Sequence, residues 1–238
     1  MNVIISAIQQ ELEANIDPAP KVDPAYYFKE PVKYHGVKTA VVNRIAREYF
    51  PQVAGKKKQD IFALCTALFQ TDYGEEAAIA SDWAYRLRRQ YETSDFALFE
   101  EWIAKYVNNW AKCDTLCNHT IGSFIEQYPD YVKQLKDWTK SPNRWLRRAA
   151  AVTLILPARN GKFLKDIFEI ADRLLLDKDD LVQKGYGWLL KEAGKPYQQE
   201  VFSYVMKNKT VMPRTALRYA IEKFPVELKK QAMAKDNM

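Results

Sequence analysis

The sequence predicts an all-α protein made of stacked helix pairs. Apolar residues recur every three or four positions through most of the 238-residue chain, and no stretch alternates as a β-strand does. The 11 prolines fall mostly between these helical segments, and only 8 glycines are present. Short helices with still shorter linkers, repeated along the chain, are typical of a helical stack rather than of a closed bundle.

The helical segments follow one another with little chain between them. In FLKDIFEIADRLLL, residues 163–176, the apolar positions form a stripe along one helix face. The same spacing predicts helices over residues 2–14, 38–50, 59–70, 75–91, 95–107, 114–127, 130–139, 143–155, 162–176, 179–192, 197–207 and 213–224.

Three of the later segments resemble one another. LRRAAAVTL at 146–154 aligns with VQKGYGWLL at 182–190 at an offset of 36 residues, so that Arg148 matches Lys184. MPRTALRYAIEKF again places a cation, Arg214, before small residues. A period slightly below the roughly 40–47 residues of HEAT units predicts compact HEAT-like pairs, with accidental similarity among helices as the alternative. In such a stack Arg148, Lys184 and Arg214 form a row along one inner surface.

The composition predicts one globular domain covering residues 1–238. With 47% hydrophobic and 28% charged residues, the chain can bury a substantial core. It has no apolar run near the ~20 residues of a membrane-spanning helix, and its first residues, MNVIISAIQQ, show no basic leader before the apolar run. We therefore expect a cytoplasmic protein with no membrane partner.

The charge balance favours an anionic partner. Lys and Arg number 36 against 30 Asp and Glu, which gives a net charge of +6 and a pI near 9.0. Cations cluster at residues 56–58, 144–148 and 229–230, and acids group at Glu75–Glu76 and 177–180. Each cluster by itself is typical of a solvated helix face, whereas cations in register along a stack would line a binding surface.

The sequence gives little support to metal, cofactor or nucleophile chemistry. Cys65, Cys113 and Cys117 are an odd number of cysteines in a chain without export signals, so we expect reduced thiols. Cys113, Cys117 and His119 lie close together but lack further ligands, and small apolar packing is the preferred role of these cysteines. With only His35 and His119, no nucleophile elbow and no phosphate-binding glycine loop, we predict no metal, no cofactor and no catalytic triad.

The stretch NNWAKCDTLCNH places a large aromatic and a carboxylate four positions apart. On a helix, Trp110 and Asp114 project from one face with their Cβ atoms about 5–6 Å apart. In the structural interpretation, Trp110 fills the core and Asp114 caps a helix over 114–127. In the functional interpretation, the two side chains face a groove and work as a pair.

Three motifs, WAKCD, NRWLRRAA and GYGWLLKEAGK, occur in an order and at separations that resemble the AlkD-like bacterial DNA alkylation repair family. The resemblance covers nearly the whole chain, from AYYFK at 25–29 to PRTALRYAIEKF at the C-terminal end. Each motif is short, and their joint order gives the resemblance its specificity. The resemblance implies a right-handed superhelical α-solenoid of HEAT-like helix pairs that holds duplex DNA in a concave basic groove. It also implies hydrolysis of the N-glycosidic bond of alkylated purines carrying a positive charge.

The resemblance also implies roles for individual residues. The family's catalytic aspartate matches Asp114, and its two lesion-site tryptophans match Trp110 and Trp188. Its N-terminal tyrosine matches Tyr27, with the adjacent Tyr26 as the alternative register. The arginine that contacts the backbone of the damaged strand matches Arg148. An acidic residue often follows the first tryptophan in this family, but Ala111 stands there in this chain, which leaves open the fine tuning of the site and its substrate range.

The chemistry of the implied reaction fits a single carboxylate. An alkyl group on N3 or N7 makes the purine cationic, so the base departs without a proton, whereas glycoside hydrolysis of sugars normally requires a second, acidic carboxyl. Asp114 would stabilise the oxocarbenium-like transition state and orient water. The faces of Trp110 and Trp188 would favour a cationic nucleotide. No pocket for a flipped base is evident in the sequence, so we expect contacts to sugar and phosphate to dominate, with the guanidinium fork of Arg148 on the backbone.

The sequence therefore predicts a monofunctional DNA-alkylpurine glycosylase that acts as a monomer on double-stranded DNA containing alkylated purines, with no obligatory protein partner. Tyr27, Arg148, Lys184 and Arg214 are the predicted DNA-binding residues. One rival is a noncatalytic HEAT-like protein that binds branched or distorted DNA, because a fold does not fix a function. A second rival is a protein-binding scaffold. Trp188 also has a purely structural alternative, as a wedge between helices beside Gly185 and Gly187.

Overall fold

The computed structural model describes residues 3–19 and 24–234, and this part of the chain is all-α. It contains two isolated β-bridges but no β-strand, which confirms the predicted class. The helices are α1 Val3–Ala14, α2 Thr39–Tyr49, α3 Lys58–Gln70, α4 Gly74–Arg86, α5 Asp95–Tyr106, α6 Trp110–Thr115, α7 Gly122–Gln127, α8 Val132–Trp138, α9 Arg144–Val152, α10 Ile155–Arg159, α11 Leu164–Leu174, α12 Asp180–Ala193, α13 Gln198–Asn208, α14 Arg214–Ala220 and α15 Val226–Met233.

Shorter helical turns complete the chain between these helices. Turns of 3₁₀ type lie at Pro24–Tyr27, Phe50–Gln52, Arg88–Gln90 and Pro129–Tyr131. A π-helical turn, Leu116–Ile121, follows α6 directly. None of the helices in the described residues is long and apolar enough to cross a membrane.

One helix start and two further helices differ from the prediction. The predicted helix over 114–127 begins four residues earlier, at Trp110, because Asn109 caps it with its side chain. Helices α10 and α15 were not predicted, since ILPAR is short and contains a proline and VELKKQAM is short and mostly polar. The other helices follow the apolar spacing closely.

The Cα atoms group into two compact units, Met1–Thr120 and Ile121–Met238. The helices that the sequence analysis assigned to one domain thus form two separately packed groups. That residues 1–238 act as a single domain stays a prediction.

The first unit has two layers of helices. Helices α1, α3 and α5 adjoin one another in one layer, and α2, α4 and α6 adjoin one another in the other. Each layer contacts the other through the pairs α1 with α2 and α3 with α4. Trp83 and Trp102 fill the core between the layers, and their indole N–H groups donate to Ala46 O and Thr66 Oγ1, both at 2.9 Å. This is the stacking of helix pairs that the sequence predicts.

The second unit repeats this arrangement around α9, α12 and α14. Helix α12 packs against both α9 and α14, while α8 and α11 adjoin each other and cover α9. A Cβ on Gly187 would lie 2.7 Å from Ala216 O, so glycine is required where α12 meets α14. A Cβ on Gly185 would lie 3.4 Å from Arg148 Cγ, an ordinary contact. The small residues at this helix interface therefore permit close packing, as predicted.

Candidate active site

Helix α6 begins with a side-chain cap. The Asn109 side chain accepts a hydrogen bond from Lys112 N at 3.0 Å, which satisfies one of the free N–H groups of the first turn. Asp114 lies one turn further along the helix and is half-buried. The interpretation in which Asp114 caps a helix is therefore wrong.

A buried ion pair fixes the first turn of α6 to the turn between α3 and α4. Lys112 is buried, and its Nζ lies 2.6 Å from Asp72 Oδ1 and 2.8 Å from Asp72 O. Asn108 Nδ2 donates to the same carboxylate at 2.7 Å. Burial alone would raise the pKa of Asp72, but the hydrogen bond and charge of Lys112 hold that pKa below its usual range. Asp72 has a φ of 68°, the left-handed conformation that aspartate tolerates better than most residues.

Trp110 is held by aromatic and backbone contacts. Its indole Nε1 donates to Tyr27 O at 3.2 Å, and its ring stacks on Phe28 with centroids 5.3 Å apart. Phe28 in turn stacks on Tyr34 with centroids 5.5 Å apart. A Cβ on Gly74 would lie 2.2 Å from the Tyr34 ring, so this stack needs glycine at the start of α4. The Trp110 indole is half-buried and is not part of the sealed core.

Two buried carboxylates hold the segment that carries this aromatic stack. Glu75 accepts hydrogen bonds from the backbone N–H groups of residues 35–37, at distances from 2.9 to 3.1 Å. Glu76 lies 3.0 Å from His35 Nε2 and 3.2 Å from Gln9 Nε2. Burial and the charge of Glu75 raise the pKa of Tyr34 to about 12. The expectation that Glu75–Glu76 form a solvated patch is wrong, because both side chains are buried.

The first unit therefore brings three of the predicted site residues together. Trp110 and Asp114 lie one turn apart on α6, and the backbone of Tyr27 contacts Trp110. Tyr27 is 59% exposed and Tyr26 is 80% exposed, so both phenol rings reach solvent. Sequence reasoning missed Phe28 as the ring that stacks on Trp110. The only signal for it was its position within the aromatic run AYYFK.

A cavity of about 200 Å³ lies beside α6 in this unit. Ala111, Lys112 and Thr115 form its wall on α6, of which Ala111 and Thr115 lie one helix face away from Trp110 and Asp114. The other lining residues are Tyr34, Val37, Thr39, Val42, Asn43, Gly74, Glu75 and Ala78. The small side chain of Ala111 thus borders open space.

The second unit carries the other predicted site residues. Arg148, on α9, is only 5% exposed, and its Nη1 donates to the backbone carbonyl of Leu181. The interpretation of the cations at 144–148 as a solvated helix face is therefore wrong for Arg148. Lys184, on α12, is half-buried and pairs with Asp180 at 3.3 Å, whereas Arg214 at the start of α14 is exposed. The three cations predicted to form a row thus differ widely in exposure.

Trp188 lies one turn after Lys184 on α12, so the two side chains share a helix face. The indole is half-buried. The adjacent Gly187 brings the α12 backbone against α14. Trp188 is therefore positioned by the close packing of its helix.

The three cysteines have the packing role that the sequence favoured. Cys65, Cys113 and Cys117 are fully buried free thiols, and burial raises the pKa of Cys65 far above its usual value. His119 is exposed. Within residues 3–19 and 24–234, no group of three or more His, Cys, Asp or Glu side chains is arranged to hold a metal ion.

Known proteins resemble this chain in sequence pattern and in fold. A family model described as DNA alkylation repair enzyme matches residues 8–224. No curated protein matches the sequence. A solved structure titled "Predicted DNA alkylation repair enzyme from Enterococcus faecalis" superposes with a TM-score of 0.79 at 15% identity, over 89% of this chain and 98% of that one.

A second solved structure also shares the fold. It is the alkylpurine DNA glycosylase AlkC of Pseudomonas fluorescens, bound to DNA containing an abasic site analog. The TM-score is 0.53 at 15% identity. The match covers 92% of this chain and 61% of that one.

Proposed function

This chain belongs to the DNA alkylation repair enzyme family, and from that membership we propose that it is a monofunctional DNA glycosylase. Its substrates are cationic N3- or N7-alkylated purines in duplex DNA, and it hydrolyses their N-glycosidic bond. The fold similarity to a glycosylase bound to DNA with an abasic site analog supports this reaction, because removal of a base leaves an abasic site.

The observation that carries the proposal is the arrangement of Trp110 and Asp114 on α6. Asn109 supplies the helix cap and the Asp72–Lys112 pair fixes the first turn, so neither task falls to Asp114. Asp114 is half-buried rather than sealed in the core, one turn from an indole that is itself held at the surface. From these positions the Asp114 carboxylate can stabilise a positively charged sugar, and the Trp110 ring can contact a positively charged base.

Asp114 acts on the charge that develops in the transition state. As the C1′–N bond lengthens, positive charge moves from the base to the deoxyribose, where a fixed carboxylate offsets it. The departing purine takes the bonding electron pair and becomes neutral, so no general acid is needed. Water adds to C1′, and Asp114 orients it. The face of Trp110 favours a cationic nucleotide by roughly 0.5–2 kcal/mol, and the face of Trp188, in the second unit, has the same preference.

Each unit carries residues proposed to contact the DNA backbone. In the first unit Tyr27 presents an exposed phenol. In the second unit Lys184 and Arg214 present cations on α12 and α14, two helices that pack against each other. Arg148 is also proposed to contact the backbone, although its guanidinium is buried and donates to the Leu181 carbonyl. The protein works as a monomer and without a cofactor.

The decisive test is Asp114→Asn, assayed for base release from duplex DNA containing 7-methylguanine. Loss of one fixed charge at the transition state is expected to slow release by about 10²–10³-fold. Asp60→Asn is the matched control, because it removes one exposed carboxylate from the first turn of α3, and it should release base at the unmodified rate.

The same assay separates the proposal from its rival, a noncatalytic protein that binds distorted DNA. Binding of duplex DNA without any base release by the unmodified protein would favour the rival. Release that requires a metal, shown by loss of activity in a chelator, would contradict the cofactor-free mechanism.

A further inference from the structure

Asn118 extends the face of Trp110 and Asp114 by one more turn. It follows Asp114 by four residues and lies within the π-helical turn Leu116–Ile121. A π-helix turns through a smaller angle per residue than an α-helix, because its hydrogen bonds span five residues instead of four. Asn118 therefore lies more nearly in line with Asp114 than it would in a continuous α-helix. Single π-helical turns are frequent at functional sites.

The amide of Asn118 is unusual in its surroundings. Its Oδ1 atom is buried and has no hydrogen-bond partner among the described residues. Buried polar atoms in proteins are nearly always hydrogen-bonded, since leaving one without a partner costs about 1–3 kcal/mol. Because Asn118 Oδ1 lacks a partner and lies one turn from the proposed catalytic carboxylate, it is a candidate for contact with the reactants.

We propose that Asn118 is a positioning residue that holds the attacking water together with Asp114. This inference rests on the proposed glycosylase function. When the half-buried Asn118 side chain turns its Oδ1 toward Asp114, one O–H of the water donates to the Asp114 carboxylate and the other donates to Asn118 Oδ1, which aims an oxygen lone pair at C1′. The C1′–O bond forms as the C1′–N bond breaks, the base leaves with the electron pair, and one water proton passes to Asp114 and then to solvent.

An amide suits this position better than a second acid. A carboxylate one helical turn from Asp114 would repel its charge and favour protonation of one of the pair. The Asn118 amide supplies an acceptor for the water and adds no charge. Asp114 thus remains the only anionic group on this face of α6 and the π-helical turn.

The test replaces Asn118 by leucine, which has a similar size and no hydrogen-bonding atoms. Single-turnover release of 7-methylguanine from duplex DNA is expected to slow by about 10–100-fold, the effect of a misplaced reactant. The dissociation constant for duplex DNA containing an abasic analog should stay within about twofold, since water positioning does not contribute to DNA binding. The melting temperature should stay equal or rise, because an unsatisfied buried polar atom is removed.

Asn160→Leu is the matched control, as it makes the same change at an exposed position just after α10. It should leave release unchanged. A lower melting temperature together with weaker DNA binding in Asn118→Leu would show a structural role and overturn the inference, as would release at the unmodified rate. If the leucine variant does not fold, Asn118→Ala answers the same question by the same three measurements.

The two proposals fail in different ways. If the unmodified protein releases no base, the glycosylase function is wrong. If it releases base and Asp114→Asn does not, while Asn118→Leu is fully active, only the role of Asn118 is wrong.

Discussion

Trp110 and Trp188 are both half-buried tryptophans on helices, yet they are held in different ways. The Trp110 indole is fixed through its side chain, by the stack on Phe28 and the hydrogen bond to Tyr27 O. Within the described residues, the Trp188 indole has no ring stack and no hydrogen bond. Its position follows from Gly187, which brings α12 against α14.

The positions of the two indoles therefore depend on different features of the structure. The position of Trp110 depends on the Tyr27 carbonyl and the Phe28 ring, about 80 residues earlier in the sequence, and on the ion pair that fixes α6. The position of Trp188 depends on the absence of a Cβ in the neighbouring residue. Substitutions that remove contacts should therefore displace Trp110, whereas substitutions that add atoms next to Trp188 should displace Trp188.

The largest loss of stability is expected when the Asp72–Lys112 ion pair, which fixes the first turn of α6, is broken. Asp72→Asn keeps a residue that tolerates the left-handed conformation but leaves the Lys112 ammonium buried without its anion. The loss in free energy of unfolding should be about 3 kcal/mol, at the lower end for buried pairs because Asp72 is partly exposed. Urea unfolding measures it, with the exposed Asp60→Asn as the control. A loss under about 0.5 kcal/mol would contradict the anchoring role.

The pH dependence of that difference provides a second check. The folded-state pKa of Asp72 is lowered, so its contribution is fully present above the unfolded value near 3.8 and is lost as pH falls through the folded pKa. The stability difference between the unmodified protein and Asp72→Asn should therefore be constant near neutral pH and shrink in acid. A difference that grows in acid would have the wrong sign.

A smaller loss of stability is expected when a methyl group is added at Gly187, the residue before Trp188. The new Cβ of Gly187→Ala would clash with Ala216 O at 2.7 Å, a backbone atom that cannot turn away, and should cost about 2 kcal/mol of stability. Gly185→Ala is the matched control two residues earlier, where the nearest atom is Arg148 Cγ at 3.4 Å. Its gain in helix propensity should leave stability unchanged or raised by about 0.5–1 kcal/mol. Equal effects of the two substitutions would rule out the close approach at Gly187.

The smallest stability effect is expected for loss of the ring that holds Trp110. Phe28→Ala removes the stacks on Trp110 and on Tyr34, each worth about 0.5–1 kcal/mol, and should also slow base release, because the indole is no longer fixed. Phe168→Ala removes a comparable stack on Tyr204, with centroids 4.8 Å apart in the second unit. It should cost similar stability and leave release unchanged. Parallel losses of activity in both variants would show that stability alone is responsible.

The sequence predicts the helices well and the surroundings of the site only partly. Apolar spacing located most helices, because burial of one face imposes that spacing directly. The start of α6 was placed too late, since the first turn owes its stability to the Asn109 cap and not to an apolar stripe. Helix α15 was missed because its residues bury little apolar surface.

Within the site, local spacing was informative and long-range contacts were not. The four-residue spacing of Trp110 and Asp114 is enough to place them on one face. No local pattern connects Trp110 with Phe28, which meets it only through the folded backbone. The burial of Arg148 was likewise hidden, because a cation in a helical pattern looks the same whether it faces solvent or a neighbouring carbonyl.

The hydrogen bonds from residues 35–37 to Glu75 affect how fast this part of the backbone exchanges its amide protons. These three N–H groups lie outside any helix, where exchange with solvent is ordinarily rapid. Because a buried carboxylate accepts from all three, their protons should exchange as slowly as those of the helix that bears Glu75. The non-helical segment next to Tyr34, the ring that stacks on Phe28, thus opens only when the first turn of α4 opens with it.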